Sequence, residues 1–210
     1  MDFPQILGVI NMSKLISRLI LSCCAIAIIW FSQMPMAQAA NPAELSKAVE
    51  EIEYLDATRS GLASSLEGRT EPPTKQTMKE VCKPVGMRAK QLSMENNWQV
   101  KQIATKYRNP NHAPQSETEE NALELFEQNP DLIGFWQKDT VSGEMGDRYF
   151  RRINVESSCL ACHGAKNSRP DFVKANYPED HAFDFQVGDL RGMYSVFVPE
   201  IQAGLKAALQ

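Results

Sequence analysis

The fold is decided by two runs rich in aromatic and β-branched residues that flank a turn, residues 133–155, with the sequence IGFWQKDTVSGEMGDRYFRRINV. Residues 133–141 and 148–155 suit strands, and the six residues between them include two glycines. This pattern predicts a β-hairpin. Another strand is predicted at residues 190–198, where Met193, Ser195 and Phe197 alternate with Tyr194, Val196 and Val198.

Helical patterns dominate the first half of the chain. Asn41 and Pro42 suit the N-cap and first turn of a long helix that ends at Gly68. A third helix is predicted from Ser116 to Asn129, after a strand at residues 98–106 and a proline-rich loop. Helices followed by antiparallel strands predict an α+β domain. The second helix has one apolar face, formed by Met78, Val81, Cys82, Val85, Ala89 and Leu92.

Pro84 interrupts that second helix. It cannot donate a backbone hydrogen bond and its ring crowds the carbonyl of Glu80, so a kink or boundary is predicted beside Cys82. The Cys82 thiol is expected to point into the core or toward a cofactor. Burial as a small apolar side chain is the alternative.

Residues 1–39 resemble a secretory signal, with basic Lys14 and Arg18, an apolar run at 19–31 and an A-x-A cleavage site at 37–39. The apolar run of 13 residues is shorter than the roughly 20 needed to span a bilayer, so an uncleaved anchor is the alternative. Cys23 and Cys24 are expected to leave with the signal. The chain is therefore predicted to be exported, to the periplasm or the thylakoid lumen.

Composition limits the function further. Removing residues 1–39 takes away two cations and one anion, which changes the formal charge from −4 to −5. A mildly acidic chain argues against nucleic-acid binding. The remaining 171 residues (210 minus 39) suit one domain, with the only linker-like break at Glu71, Pro72 and Pro73. We therefore divide the chain into a signal (1–39), an amino-terminal helix and linker (40–72) and a main domain (73–210).

Residues 159–163, CLACH, match the CxxCH signature of covalent haem c attachment. Two thiols one helical turn apart each add to a haem vinyl group, and the adjacent imidazole binds the iron. Cys159 and Cys162 are thus the predicted attachment sites of one haem, and His163 its proximal ligand. A zinc site and a dithiol redox motif are the alternatives, although zinc needs four ligands and the flanking residues do not suggest a βαβ unit.

Haem attachment leaves Cys82 as an odd cysteine in the mature chain. A His-ligated haem has a sixth position that is either open or filled by a second ligand. Cys82 is one candidate for it. Other donors are His112 and His181, both in polar loops, and the sulfur atoms of Met78, Met87, Met94, Met145 and Met193.

Four short elements resemble a known family: EVC at 80–82, RNPNHAP at 108–114, CLACHG at 159–164 and GDLRG at 188–192. In this order they are similar to a cyanobacterial family of exported or sensor-attached haem c domains with a PAS-like fold. The resemblance covers roughly residues 43–205. It implies a five-stranded antiparallel sheet flanked by helices, and one covalent haem with His163 and Cys82 as axial ligands.

The function that the resemblance implies is redox or small-ligand sensing, an analogy that rests on the fold. On this hypothesis the Cys82 thiolate favours the oxidised state and leaves on reduction, which opens a site for a small gaseous ligand. Low-potential electron transfer with constant ligation is the alternative, and no nucleophile–base constellation suggests an enzyme. A sensor of this kind needs a signalling or redox partner protein, or a second copy docked through the amino-terminal helix. Arg108 and Arg191 are candidate contacts for the haem propionates, with surface solvation as the alternative.

Overall fold

An antiparallel sheet of four strands runs through the part of the chain that the structure, a computed structural model, describes, residues 41–200. The strands are β1 (Gln99–Ile103), β2 (Gly134–Val141), β3 (Glu144–Asn154) and β4 (Leu190–Pro199), in the order β1-β4-β3-β2. The α+β class is confirmed. The expected five strands are corrected to four among these residues, because the residue pattern itself predicts only four and the fifth came from the resemblance alone.

Six α-helices accompany the sheet in the described residues: α1 (Pro42–Ser64), α2 (Lys75–Val81), α3 (Lys83–Asn96), α4 (Glu117–Gln128), α5 (Leu160–His163) and α6 (Asp171–Asn176). Asn41 caps α1 by accepting a hydrogen bond from the Ala43 amide at 3.1 Å. The helix ends four residues before the predicted Gly68. Helix α6 was not predicted, because its stretch is polar and has little period.

The hairpin turn is tighter than its sequence suggested. Ser142 and Gly143 alone connect β2 to β3, with φ angles of 53° and 85°. Two successive positive φ angles define a type I′ turn, whose twist matches that of the strands it joins. The residues expected to form a longer loop, 144–147, therefore extend β3 instead.

The alternation predicted for β4 places its side chains on two covered faces. Tyr194, Val196 and Val198 pack with α1 and α3, whereas Met193 packs with α4. Every residue from Gly192 to Val198 is buried, as expected for a central strand with helices on both faces. The larger core cluster contains Ala48, Ile52, Leu55, Val85, Ala89, Trp98, Tyr149, Ile153, Tyr194, Val196 and Val198.

Helix α1 shares this core with the sheet, through Ala48, Ile52 and Leu55, which are at most 1% exposed. The described residues, 41–200, belong to one compact unit. Within residues 41–200, no helix combines the length and apolarity that crossing a bilayer requires. The predicted signal, 1–39, lies outside the described residues.

Candidate functional site

The helical break beside Cys82 is confirmed. Helix α2 ends at Val81 and α3 begins at Lys83, so that Cys82 is the last cap of one helix and the first cap of the next. The Cys82 amide still donates to the Met78 carbonyl at 3.0 Å. Its thiol does not enter the apolar core, as one alternative expected; Cys82 is exposed and lines a cavity.

The CLACH motif begins in a 3-10 turn, Ser157–Cys159, and continues as helix α5. Its helical winding places Cys159 and Cys162, three positions apart, on the same side. Gly164 ends α5, where its amide donates to the Leu160 carbonyl at 2.9 Å. A Cβ at Gly164 would lie 2.8 Å from that carbonyl oxygen, so this sharp ending requires glycine.

One cavity of about 320 Å³ gathers residues from the helical break, the motif, the loop after β1 and the start of β4. The volume is within the range of about 300–1,000 Å³ typical of cofactor sites. All six residues predicted for the site line it: Cys82, Arg108, Cys159, Cys162, His163 and Arg191.

The imidazole of His163 is held by the backbone. Its Nδ1 lies 2.8 Å from the Ala182 carbonyl oxygen, which can only accept a hydrogen bond, and 3.3 Å from Arg108 Nη2, which can only donate. The contact with the carbonyl is much the shorter, so we assign the proton to Nδ1. The lone pair on Nε2 is therefore available to a metal ion. Burial and the positive charges of Arg191 and Arg108 hold the pKa of His163 well below its usual value, which keeps the ring neutral.

Arg108 connects the CLACH motif to a buried carboxylate. Its Nη2 donates to the Cys162 carbonyl at 2.7 Å, and its Nε lies 3.3 Å from the Asp180 carboxylate. The Asp180 side chain is fully buried and also pairs with Arg169 at 2.8 Å. Burial alone would raise the pKa of Asp180, but the two guanidinium groups outweigh it and lower the pKa.

Arg191 contrasts with Arg108. Its only hydrogen bond among the described residues goes from Nη1 to the Lys106 carbonyl, at 3.1 Å, and no carboxylate there forms an ion pair with it. Burial and the nearby Arg108 lower its pKa to about 10. A half-buried guanidinium with no counter-ion, facing a cavity, favours an anionic ligand.

A second network joins α1 to the motif. Arg59 pairs with Glu156 at 2.7 Å and with Asp56 at 2.8 Å. The Cys159 sulfur lies 3.9 Å from Arg59 Nη1 and accepts from the Glu156 amide at 3.4 Å. These contacts fix the beginning of the motif against α1. No local pattern predicts them, because Arg59 lies 100 positions from Cys159 and 97 from Glu156.

Burial makes the thiols of Cys162 and Cys82 harder to deprotonate. Burial raises the pKa of Cys162 to about 11. Burial against the cavity wall also raises the pKa of Cys82, despite the opposing charge of Arg108. Binding to a metal ion would displace the proton from such a thiol.

Among the other predicted metal ligands, some line the cavity and the rest lie elsewhere. Met78 lines the cavity, whereas Met87, Met94 and Met145 are at least 60% exposed and Met193 is buried in the core beside α4. His181 is exposed, and its ring packs edge-on against Tyr107. His112 is exposed, as expected for a polar loop, and it also lines the cavity, because the Ala104 amide holds its carbonyl at 2.9 Å.

Sequence reasoning missed Ser158, Arg59 and Asp180. The Ser158 hydroxyl is buried, lines the cavity and has no hydrogen-bond partner among residues 41–200. Its position next to the motif could have singled it out. Asp180 lies in a polar stretch where nothing local marks it as buried.

Fold and site together define an α+β domain whose cavity holds a CxxCH motif and a third cysteine. The chain belongs to the Tll0287-like family, whose model matches residues 37–199, so the family recognised from the four short elements is confirmed. A solved structure, described as that of the cyanobacterial heme-protein Tll0287, is 57% identical, with a TM-score of 0.70. The match covers 78% of this chain and 99% of that one. No curated protein matches the chain.

Proposed function

We propose that this chain is an exported c-type haem protein that acts as a redox or small-ligand sensor. Cys159 and Cys162 bind one haem covalently, His163 is the proximal ligand and Cys82 the distal one. The observation that carries the proposal is that all four side chains line one cavity although they come from two distant parts of the sequence. The solved relative, described as a heme-protein, supports it.

The cavity suits a porphyrin in three independent ways. His163 presents a neutral ring whose Nε2 can bind iron. Arg191 offers a guanidinium without a counter-ion, which suits a propionate. Ser158 adds a buried hydroxyl that lacks a partner among the described residues.

The two arginines therefore have different roles. Arg108 is occupied by Asp180 and the Cys162 carbonyl, so it orients the motif. Arg191 is the propionate contact, because its charge is the one left to be neutralised. Surface solvation suits neither residue, since both line the cavity.

The bound haem supplies an iron that gains and loses one electron. A Cys82 thiolate favours the oxidised state, because an anionic ligand lowers the reduction potential. If a redox partner protein donated an electron to the site, Cys82 would be able to take a proton from solvent and release the metal, which would offer its position to a small gaseous ligand. The break between α2 and α3 is where such a movement would be transmitted.

The rest of the proposal concerns context. We place the mature protein in the periplasm or thylakoid lumen and assign it no enzymatic activity. A PAS-like sensor frame fits the central β4 with helices on both faces. The partner, a signalling or redox protein or a second copy, would dock on the outer side of α1, where Tyr54 is 66% exposed, because the inner side is occupied by the core.

The first test is chemical. The chain produced in a host with a cytochrome c maturation system should give a haem c pyridine haemochrome and a mass one haem above that of the polypeptide. Cys159→Ser or Cys162→Ser should each leave a single thioether, which shifts the haemochrome band. A colourless product, or one that contains zinc instead, would contradict the proposal.

The second test concerns the distal ligand. Electron paramagnetic resonance of the oxidised protein should show thiolate ligation, which Cys82→Ala abolishes. Met78→Ala is the matched control, because Met78 is also a sulfur side chain that lines the cavity. A signal that changes with Met78→Ala and not with Cys82→Ala would replace the His/Cys assignment by His/Met.

The third test separates sensing from electron transfer. Carbon monoxide should bind to the reduced wild type as readily as to reduced Cys82→Ala, since the sulfur has already left. If the reduced wild type retains sulfur ligation and excludes carbon monoxide, the switch is wrong and the electron-transfer alternative holds.

A further inference from the structure

A buried carboxylate lies behind the predicted haem ligand His163. The His163 Nδ1 donates to the Ala182 carbonyl at 2.8 Å, and the Ala182 amide donates to Asp180 Oδ1 at 3.0 Å. The backbone of Ala182, which accepts the hydrogen bond from the imidazole, is therefore itself fixed by the charged side chain of Asp180. Ala182 and the Asp180 side chain are both 0% exposed, so water does not replace either contact.

Asp180 holds the motif a second time through Arg108. Its Oδ1 lies 3.3 Å from Arg108 Nε, and Arg108 Nη2 donates to the Cys162 carbonyl at 2.7 Å. That carbonyl belongs to the residue just before His163. The carboxylate thus anchors both the acceptor that orients the ring and the peptide that carries it.

Arg169 completes the group from the outer side. Its Nη1 contacts Asp180 Oδ2 at 2.8 Å, and its Nε donates to the Lys166 carbonyl at 2.9 Å. The buried cluster therefore contains one negative and two positive charges. Removing Asp180 leaves two guanidinium groups without their shared counter-ion, next to His163.

We infer that Asp180 is a positioning residue for His163, which sets the orientation of the imidazole and the reduction potential of the site through Arg108 and the Ala182 backbone. This inference rests on the proposed haem function. Partners behind a metal-binding histidine fix its tautomer and its strength as a donor. The net charge around the ring also biases the two oxidation states, because positive charge favours the reduced one.

The test compares Asp180→Asn with the wild type as holoprotein, by spectroelectrochemistry. Asn has nearly the same shape but no charge, so the potential should rise, with the ratio of reduced to oxidised protein at fixed ambient potential increasing about tenfold, or 59 mV for one electron. The electron paramagnetic resonance g values should change with the ring orientation. Asp171→Asn is the matched control, because the Asp171 side chain is fully exposed; it should change neither quantity.

Arg108→Gln supplies a second measurement with the opposite sign. It removes a positive charge and leaves Asp180 paired with Arg169, so the potential should fall below that of the wild type. Arg108→Gln also breaks the link between Asp180 and the Cys162 carbonyl, so its g values should change as well. If Asp180→Asn yields no holoprotein, a lower potential together with changed g values in Arg108→Gln supports the inference, and wild-type g values overturn it.

Two other outcomes are distinguishable. Asp180→Asn could lower the urea midpoint while its potential and g values stay equal to those of the wild type. In that case Asp180 has a structural role only and the inference is overturned, while the haem function stands. If the wild type in the same experiment carries no covalent haem, both the inference and the proposed function are overturned.

Discussion

Replacing Leu55 by alanine tests whether α1 and the candidate haem site form one cooperative structure. Leu55 is 0% exposed and packs with Ile52, Tyr194 and Val196 in the larger core cluster. The substitution removes three carbon atoms, worth about 0.8 kcal/mol each in transfer free energy, and leaves a cavity. We expect the free energy of unfolding to fall by about 3 kcal/mol, which for a domain of this size lowers Tm by about 6–12 °C.

The assay is equilibrium urea denaturation followed by two probes. Tryptophan fluorescence reports on the core, because Trp98 belongs to the same cluster as Leu55. The Soret band reports on the cavity. Both midpoints should shift together with an unchanged m-value. Tyr54→Ala is the control, since Tyr54 is the preceding residue and is 66% exposed; it should change stability by less than about 0.5 kcal/mol.

The coupling of α1 to the site is refuted if the Soret midpoint in Leu55→Ala stays at its wild-type value while helical circular dichroism is lost at a lower urea concentration. Helix α1 would then be a separate unit, as the division at residue 72 suggested. The contacts of Arg59 with Glu156 would, in that case, not couple α1 to the motif.

Three further outcomes are expected. Gly192→Ala should lower the free energy of unfolding by at least about 2 kcal/mol in urea denaturation, because Gly192 has φ 150° and a Cβ there would clash with the Ile103 carbonyl. Gly86→Ala is the control and should not destabilise the fold, because the space around its Cβ is open. Arg191→Met should lower the reduction potential, because a positive charge beside the site is lost; the oxidised-to-reduced ratio at fixed ambient potential should change about tenfold. Arg69→Met is the control, since Arg69 is exposed, and it should leave the potential unchanged. Equal shifts in the two variants would show that Arg191 does not act on the site. Stability should fall as the pH drops below about 4. Arg169 and Arg108 hold the pKa of Asp180 below 3.8, and Ser60 and Arg59 hold that of Glu156 below 4.5, so the contribution of both carboxylates is present above those values and is lost as they protonate. A urea midpoint that stays constant from pH 6 to pH 3 would contradict this.

The residues that local spacing placed correctly are those whose structure depends on near neighbours. The helical break beside Cys82 follows from Pro84, which lacks an amide hydrogen wherever it is placed. The alternation of β4 predicted which of its side chains share a face, because the period of a strand is fixed by its pleat. Asn41 and Ser116 cap their helices through contacts within three residues.

Resemblance carried the prediction further than spacing could, and less reliably. It identified the family correctly, since four short elements in order are specific. It also supplied a fifth strand that the residue pattern did not contain, and the described residues have four. The assignment of Cys82 as distal ligand came from the same source and stays a prediction.

By itself the sequence determined the α+β class, the CxxCH turn and the position of the break at Cys82, because each depends on interactions between residues a few positions apart. Three-dimensional packing brings Asp180 to Arg108, leaves Arg191 without a carboxylate partner among the described residues and places His112 at the cavity. Asp180 lies 72 positions from Arg108 and Arg59 lies 97 from Glu156. No local pattern encodes such pairs, since their proximity arises from the packing of the helices and connecting segments around the sheet.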